Sequence, residues 1–133
     1  SSVFWKLLIG SLVMLIGGYM GEAGYTSAML GFIIGMAGWI YILFEIFSGE
    51  AGMLAAKSGN KSLSTAFSAM RIIVTVGWAV YPLGYMFGYL TSGGADVNTL
   101  NIVYNAADFL NKIAFGLIIW ACAMQNTSAR SAR

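Results

Sequence analysis

The sequence predicts an all-α membrane protein, a helical bundle with four transmembrane helices in this chain. Of its 133 residues, 59% are hydrophobic and only 9% are charged, whereas a soluble domain is about 45–50% apolar and about 25% charged. Four apolar stretches reach the length of about 20 residues that a helix needs to cross a bilayer. No series of alternating strand-like segments recurs, so the pattern is not that of a transmembrane barrel.

The predicted spans follow one another in a single transmembrane domain over residues 1–133. They cover about residues 3–21, 25–47, 62–90 and 98–124. The third span is expected to begin with Ser62 or Ser64 as its N-cap. The segments at about 48–61 and 91–96 are rich in turn residues and are predicted as connections. Because the chain starts with Ser rather than Met, we expect it to be a piece of a longer product.

The composition also excludes several classes of function. A net charge of +2 provides no basic field that would hold a nucleic acid. The absence of His and the single Cys122 exclude a His/Cys metal site and a disulfide framework. We therefore expect no metal, no enzymatic activity and no nucleic-acid partner, and the lipid bilayer is the surrounding that the composition implies.

Six of the seven cations fall on one side of the membrane if the four spans alternate in direction. They are Lys6, Lys57, Lys61, Arg71, Arg130 and Arg133. The opposite connections carry only Glu22 and Asp96. By the positive-inside rule, both chain ends are expected to be cytoplasmic. Arg71 is also expected to pair with Glu45, because the two residues lie at similar depth.

Three pairs of glycines are spaced by four residues within the predicted spans. They are Gly17 and Gly21, Gly31 and Gly35, and Gly84 and Gly88. This spacing lets helix backbones approach closely in lipid. It is compatible with an oligomer interface, but ordinary packing inside one bundle is the preferred interpretation.

The fourth span contains two charges near its middle, Asp108 and Lys112. Each charge at that depth costs roughly 2.5–3.5 kcal/mol, and a spacing of four places both on one helix face. The same face carries further polar and aromatic side chains: Asn101, Tyr104, Asn105 and Phe115, with Asn111 at its edge. Such a face is expected to lie against a protein interior.

The position and spacing of Lys112 and Asp108 leave two interpretations of Lys112 open. In the first, Lys112 and Asp108 form a structural pair inside a bundle. In the second, Lys112 is a chemical anchor, since a lysine amine condenses with an aldehyde to form an imine. The protonated imine is a cation, and Asp108 would then be its counter-ion.

The third span favours the second interpretation. Trp78, Tyr81, Pro82 and Tyr85 fall at i, i+3, i+4 and i+7, on a single helix face. Pro82 removes one backbone hydrogen bond and is expected to kink the helix. A kinked helix with flat aromatic side chains on its inner face makes a slot for a long, flat apolar ligand. Trp39 and Met14 are predicted at a similar depth on the second and first spans.

These residues resemble the microbial (type 1) rhodopsins. The resemblance rests on Asp108-Phe-Leu-Asn-Lys112 and on Trp78-Ala-Val-Tyr81-Pro82. The runs from Leu12 to Glu22 and from Tyr104 to Trp120 look specifically like proteorhodopsins. Members of that family have seven helices, and this chain resembles the C-terminal four.

The resemblance implies roles for individual residues. Lys112 matches the lysine that forms the retinal Schiff base, and Asp108 matches the second carboxylate of its counter-ion. Tyr81 matches the tyrosine that hydrogen-bonds this carboxylate, and Asn111 a neighbour of the lysine that can tune colour. The remaining matches lie along the chromophore or near the counter-ion: Tyr104, Trp78, Pro82, Tyr85, Trp39 and Met14.

The implied function is that of a retinal-binding photoreceptor with all-trans retinal, the C-terminal portion of a light-driven outward proton pump in the inner membrane of a bacterium. The family's proton acceptor and donor lie on its third helix, which this chain lacks. The expected partners are therefore helices one to three, on a second chain or an absent part of the same protein, and further copies in a homo-oligomer. A sensory rhodopsin or a pump for another ion is the alternative within the family. An alternative of another class is a four-helix structural or transport subunit with a structural Lys–Asp pair.

Overall fold

The computed structural model describes residues 1–94 and 96–132, and every regular element within these ranges is a helix. The α-helices are α1 (Ser2–Glu22), α2 (Ala28–Phe47), α3 (Glu50–Lys57), α4 (Lys61–Ile72), α5 (Val80–Tyr85) and α6 (Val97–Ser131). A π-helical turn, Ile73–Gly77, follows α4, and a second one, Met86–Leu90, follows α5. The predicted all-α class is confirmed.

Within the described ranges, four stretches of helix are long and apolar enough to cross a membrane. We call them the first to fourth spanning helices: Ser2–Glu22, Ala28–Lys57, Lys61–Leu90 and Val97–Ser131. Arg133, one of the six cations that predicted the orientation, lies outside the described residues.

Three of the spanning helices begin at a side-chain cap. Ser27, Asn60 and Asp96 each accept a hydrogen bond from the backbone N–H three residues later, at 3.0 to 3.2 Å. Such a cap satisfies one of the donors that the first turn of a helix leaves free. The predicted N-cap of the third span is therefore wrong, because Asn60 already caps the helix before Ser62 and Ser64 are reached.

The segment predicted as the connection between the second and third spans contains the helix α3. The helix α3 is rich in strong helix formers. Glu50 lies in its first turn and Lys57 in its last, an arrangement that the helix dipole favours. Glu45, near the end of α2, accepts a hydrogen bond from the Ala51 N–H at 3.1 Å. The turn residues of this segment concealed the helix. Ser48 and Gly49 interrupt the helical structure for only two residues, between the end of α2 and the start of α3.

The helices α1 and α2 approach so closely that only glycines fit between them. A Cβ added at Gly38 would lie 2.6 Å from the Met14 nitrogen and 2.8 Å from the Gly10 oxygen, and one at Gly21 would lie 3.0 Å from the Gly31 Cα. Small residues permit this approach between helices in lipid. Gly17, Gly21 and Gly31 therefore pack inside the bundle, as the preferred interpretation predicted.

A small apolar core lies between the second and third spanning helices. It consists of Ile42, Ile46 and Val74. Partly buried side chains from all four spanning helices pack around it: Leu7, Met14, Leu43, Phe67, Trp78 and Phe115. This core holds the middle of the fourth spanning helix against the third.

The fourth spanning helix contacts the third along one side only. Near its start, Leu100 is 3% exposed and lies against Gly84 and Gly88, where an added Cβ would meet it at 2.8 and 2.7 Å. The opposite side of the helix is open, and large apolar side chains such as Ile102 and Phe109 are exposed there.

The predicted pairing of Arg71 with Glu45 is wrong. Glu45, 3% exposed, lies 3.8 Å from the Lys6 amine, which also forms a 3.0 Å ion pair with Glu50. The Arg71 Nε donates instead to the Ile46 carbonyl at 2.8 Å, and its guanidinium stacks on two phenylalanine rings. A planar guanidinium favours such stacking, whereas the lysine amine approaches the carboxylates as a point charge.

Candidate functional site

The candidate site is built around an ion pair on α6. The Lys112 Nζ lies 3.1 Å from the Asp108 Oδ2, one helical turn away. The Lys112 side chain is 77% exposed and projects toward the open side of the fourth spanning helix, whereas the Asp108 side chain, 44% exposed, lies at the edge of the contact with the third. The sequence placed this face against a protein interior, but within the described residues nothing covers the lysine.

The third spanning helix holds the second oxygen of the same carboxylate. The Tyr81 hydroxyl donates a hydrogen bond to the Asp108 Oδ1. Tyr104 was expected to lie close to this carboxylate, but its hydroxyl donates to the Tyr81 backbone carbonyl at 3.0 Å. The Tyr81 and Tyr104 rings lie 5.5 Å apart at a tilt of 44°. Tyr104 therefore fixes the backbone of the tyrosine that holds the carboxylate.

Asn111, the residue before the lysine, is hydrogen-bonded to the third spanning helix. Its Nδ2 donates to the Gly77 carbonyl at 3.0 Å, and a Cβ added at Gly77 would collide with the Asn111 side chain. Sequence reasoning did not single out Gly77 as part of the site. The signal that points to it is Pro82, five residues later, which disturbs the backbone hydrogen bonds of this segment.

Trp78, Met14 and Trp39 occupy the inner side of the bundle at the apolar core. Trp78 and Met14 pack against that core, and the Trp39 indole donates to the Val74 carbonyl at 2.9 Å. Pro82 lies within α5, between the two π-helical turns. The structure thus brings these aromatic and apolar side chains together through the third spanning helix.

Tyr85 has a different environment from the other predicted site residues. It is 5% exposed, and its hydroxyl donates to the Ala28 carbonyl at 2.7 Å. Its ring lies 5.6 Å from that of Phe32 and 5.0 Å from that of Tyr89. These contacts anchor the third spanning helix to the start of the second rather than to Lys112 on the fourth.

The arrangement combines three groups with distinct chemistry. A primary amine is a nucleophile toward carbonyl carbon. A carboxylate beside it stabilises positive charge on the nitrogen, and a hydroxyl that donates to the carboxylate favours its ionised form. The site can therefore hold a cationic nitrogen next to a fixed negative charge, on a helix face that is open to a ligand.

Comparison with known proteins connects this geometry with a family. The family model described as "Bacteriorhodopsin-like protein" matches residues 1–126. The chain is 50% identical over 129 residues to the blue-light absorbing proteorhodopsin of Gamma-proteobacterium Hot 75m4, covering 96% of this chain and 51% of the relative. It is 49% identical over 127 residues to the green-light absorbing proteorhodopsin of Gamma-proteobacterium EBAC31A08, with the same coverages.

The solved structures agree with the sequence relatives. The crystal structure of the blue light-absorbing proteorhodopsin from Med12 superposes with a TM-score of 0.76 at 51% identity, over 94% of this chain and 56% of that one. The chain thus spans about half the length of the relatives that it matches. Both its sequence and its helical arrangement show that the chain belongs to the bacteriorhodopsin-like family of membrane proteins.

Proposed function

We propose that this chain binds retinal covalently through Lys112. The observation that carries the proposal is the Lys112–Asp108 pair at 3.1 Å on the open face of the fourth spanning helix. Charged side chains at membrane depth are expensive, and they mark functional sites by default. The relatives at about half identity are named as light-absorbing proteins, which calls for a chromophore that this amine can hold.

The residues present fit retinal. Lys112 would hold retinal through its amine, and the bound retinal would supply a light-absorbing polyene. Asp108 supplies negative charge beside that nitrogen, and Tyr81 holds the carboxylate in place. Trp78, on the same helix as Tyr81, packs at the apolar core, as a wall for an apolar chain requires. We propose the all-trans isomer.

The proposed activity of the complete protein is light-driven outward proton pumping. A pump needs a proton acceptor and a proton donor besides Asp108, and we propose that further membrane helices supply both and cover the open face around Lys112. Both chain ends are proposed to be cytoplasmic. They lie on the side of the membrane that carries most of the cations if the four spans alternate, and the cation-rich side is ordinarily the cytoplasmic one. A sensory rhodopsin or a pump for another ion would use the same lysine and remains the alternative within the family.

A purely structural role for the Lys112–Asp108 pair is the candidate of another class. A structural pair in a bundle would join two helices, but these two residues lie four apart on one helix. The pair therefore ties no second helix to the fourth. The bond that does so is the one from Tyr81 to Asp108, and it needs no lysine.

An absorption spectrum of the complete protein tests the proposal. All-trans retinal added to the membrane-embedded protein should produce a visible band, since only a bound, protonated imine absorbs there. Borohydride reduction followed by peptide mass spectrometry should then place the retinyl group on Lys112. A colourless protein, or an adduct on another lysine such as Lys6, would contradict the proposal. Light-driven acidification outside vesicles or cells would separate a pump from a sensor.

A further inference from the structure

Three backbone carbonyls of the third spanning helix accept hydrogen bonds from side chains of other helices. The Val74 carbonyl accepts from Trp39, the Gly77 carbonyl from Asn111 and the Tyr81 carbonyl from Tyr104, at 2.9, 3.0 and 3.0 Å. Residues 74, 77 and 81 are spaced by three and four and so lie on one helix face. In a regular helix these oxygens would be used by the helix itself.

Pro82 explains why the Gly77 carbonyl is available. Proline has no N–H, so the Trp78 carbonyl loses the donor that would normally lie four residues later. The Tyr81 N–H takes its place and donates to the Trp78 carbonyl at 3.1 Å. This N–H would otherwise serve Gly77, whose carbonyl is left for a side chain. An unsatisfied carbonyl is costly inside a membrane, so a partner from the next helix is favoured.

The partners on the fourth spanning helix also lie on one face. Tyr104, Asp108 and Asn111 are spaced by four and three, and each is bonded to the third spanning helix. Lys112 follows Asn111 directly, about 100° further around the helix. The three bonds therefore define the rotation of α6 about its axis, and with it the direction in which Lys112 projects.

We propose that Asn111 is a positioning residue for Lys112. Its bond to the Gly77 carbonyl fixes the rotation of α6 at the position next to the lysine, and with it the direction in which the amine projects from the bundle. This inference rests on the proposed function, because it concerns the direction in which the amine that receives retinal projects. Gly77 is the residue that accepts this bond and leaves room for it, since a side chain there would push the Asn111 amide away.

The test compares Asn111→Leu with Asn101→Leu in the complete protein. Leucine keeps the approximate size of asparagine and removes its donor. Asn101 is an exposed asparagine on the same helix, three turns before the lysine, and provides the matched control. Gly77→Ala is the second variant, which keeps the amide but displaces it, in case Asn111→Leu does not fold.

The unmodified protein and the variants are compared in three measurements. Solid-state NMR with carbonyl-labelled glycine and side-chain-labelled asparagine detects the Asn111–Gly77 contact, without retinal, in the unmodified protein and in Asn101→Leu. In Gly77→Ala, carbonyl-labelled alanine takes the place of the labelled glycine. The rate of colour formation and the pH midpoint at which the visible band is lost in alkali depend on how the Lys112 amine is oriented. The contact should be present in the unmodified protein and weaker in Gly77→Ala. We expect Asn111→Leu and Gly77→Ala to slow colour formation about fivefold, the worth of one lost hydrogen bond, and to move the midpoint. Asn101→Leu should do none of these.

The possible failures are distinguishable. If the contact is absent in the unmodified protein, or if both variants form colour at the control's rate with the control's midpoint, Asn111 does not position the lysine. If the unmodified protein forms no colour, the proposed function itself is overturned, and the positioning role falls with it. A slow variant beside a normal control and an intact pigment supports the inference.

Discussion

The Tyr81 hydroxyl on the third spanning helix donates a hydrogen bond to the Asp108 carboxylate on the fourth. The other oxygen of that carboxylate accepts a hydrogen bond from the Lys112 amine at 3.1 Å. One carboxylate thus joins two helices and balances the cation beside it. Because both oxygens are used, the carboxylate has one orientation, and the amine is held next to a fixed negative charge.

Replacing Lys112 should abolish retinal attachment in the complete protein. Lys112→Ala removes the amine, and Lys112→Arg keeps the positive charge but supplies a guanidinium, which does not form the imine. Both variants should lack the visible band and the borohydride-stable retinyl adduct, a loss of essentially all signal. Since Lys112→Arg preserves the charge beside Asp108, it separates chemistry from electrostatics. A coloured Lys112→Arg protein would rule out the attachment site.

Asp108→Asn should weaken the stabilisation of the cationic nitrogen. Loss of the negative charge destabilises the protonated form, so the visible band should disappear at a lower pH in an alkaline titration. A drop of about one to two pH units corresponds to about 1.4–2.8 kcal/mol of lost interaction. While the nitrogen stays protonated, absorption should also move to the red, because less negative charge stabilises the ground state. If the band and its midpoint are unchanged, Asp108 is not part of the counter-ion.

The 133 residues alone should bind retinal weakly or not at all. In the described part of the chain, Lys112 is 77% exposed on a face that no other helix covers, so a bound polyene would lie partly in detergent or lipid. The chain should also behave poorly in detergent. Spectra of the purified chain with retinal, beside the complete protein as control, provide the measurement. A stable pigment from this chain alone would contradict the prediction.

Gly38→Ala should destabilise the bundle, whereas Gly18→Ala should not. A Cβ at Gly38 would meet backbone atoms of α1 at 2.6 and 2.8 Å, but one at Gly18 meets nothing within 4 Å. Backbone atoms cannot rotate away, so α1 and α2 must separate, at a cost of about 1–3 kcal/mol for overpacking. Thermal unfolding of the complete protein in detergent measures the difference. Equal melting temperatures for the two variants would refute the close approach of these helices.

Several features of this protein follow from its sequence because they depend on local periodicity. The spanning helices follow from long apolar stretches, and the all-α class follows from them. The pairing of Asp108 with Lys112 follows from their spacing of four on one helix, which places the two side chains together whatever surrounds them. The resemblance to the rhodopsins, carried by the residues around this pair, led to the family that the comparisons show.

Only the tertiary structure decided which groups the other polar side chains meet. Tyr104 and Asn111 bond to backbone carbonyls at Tyr81 and Gly77, and every residue has such a carbonyl, so no side-chain pattern marks it. The Gly77 oxygen becomes available through the irregular helix around Pro82, and Asn111 reaches it only when the fourth spanning helix packs at the right rotation. In the same way, helix packing directs Tyr85 to the Ala28 carbonyl. Periodicity determines what lies on a helix face, and packing between helices determines what that face touches.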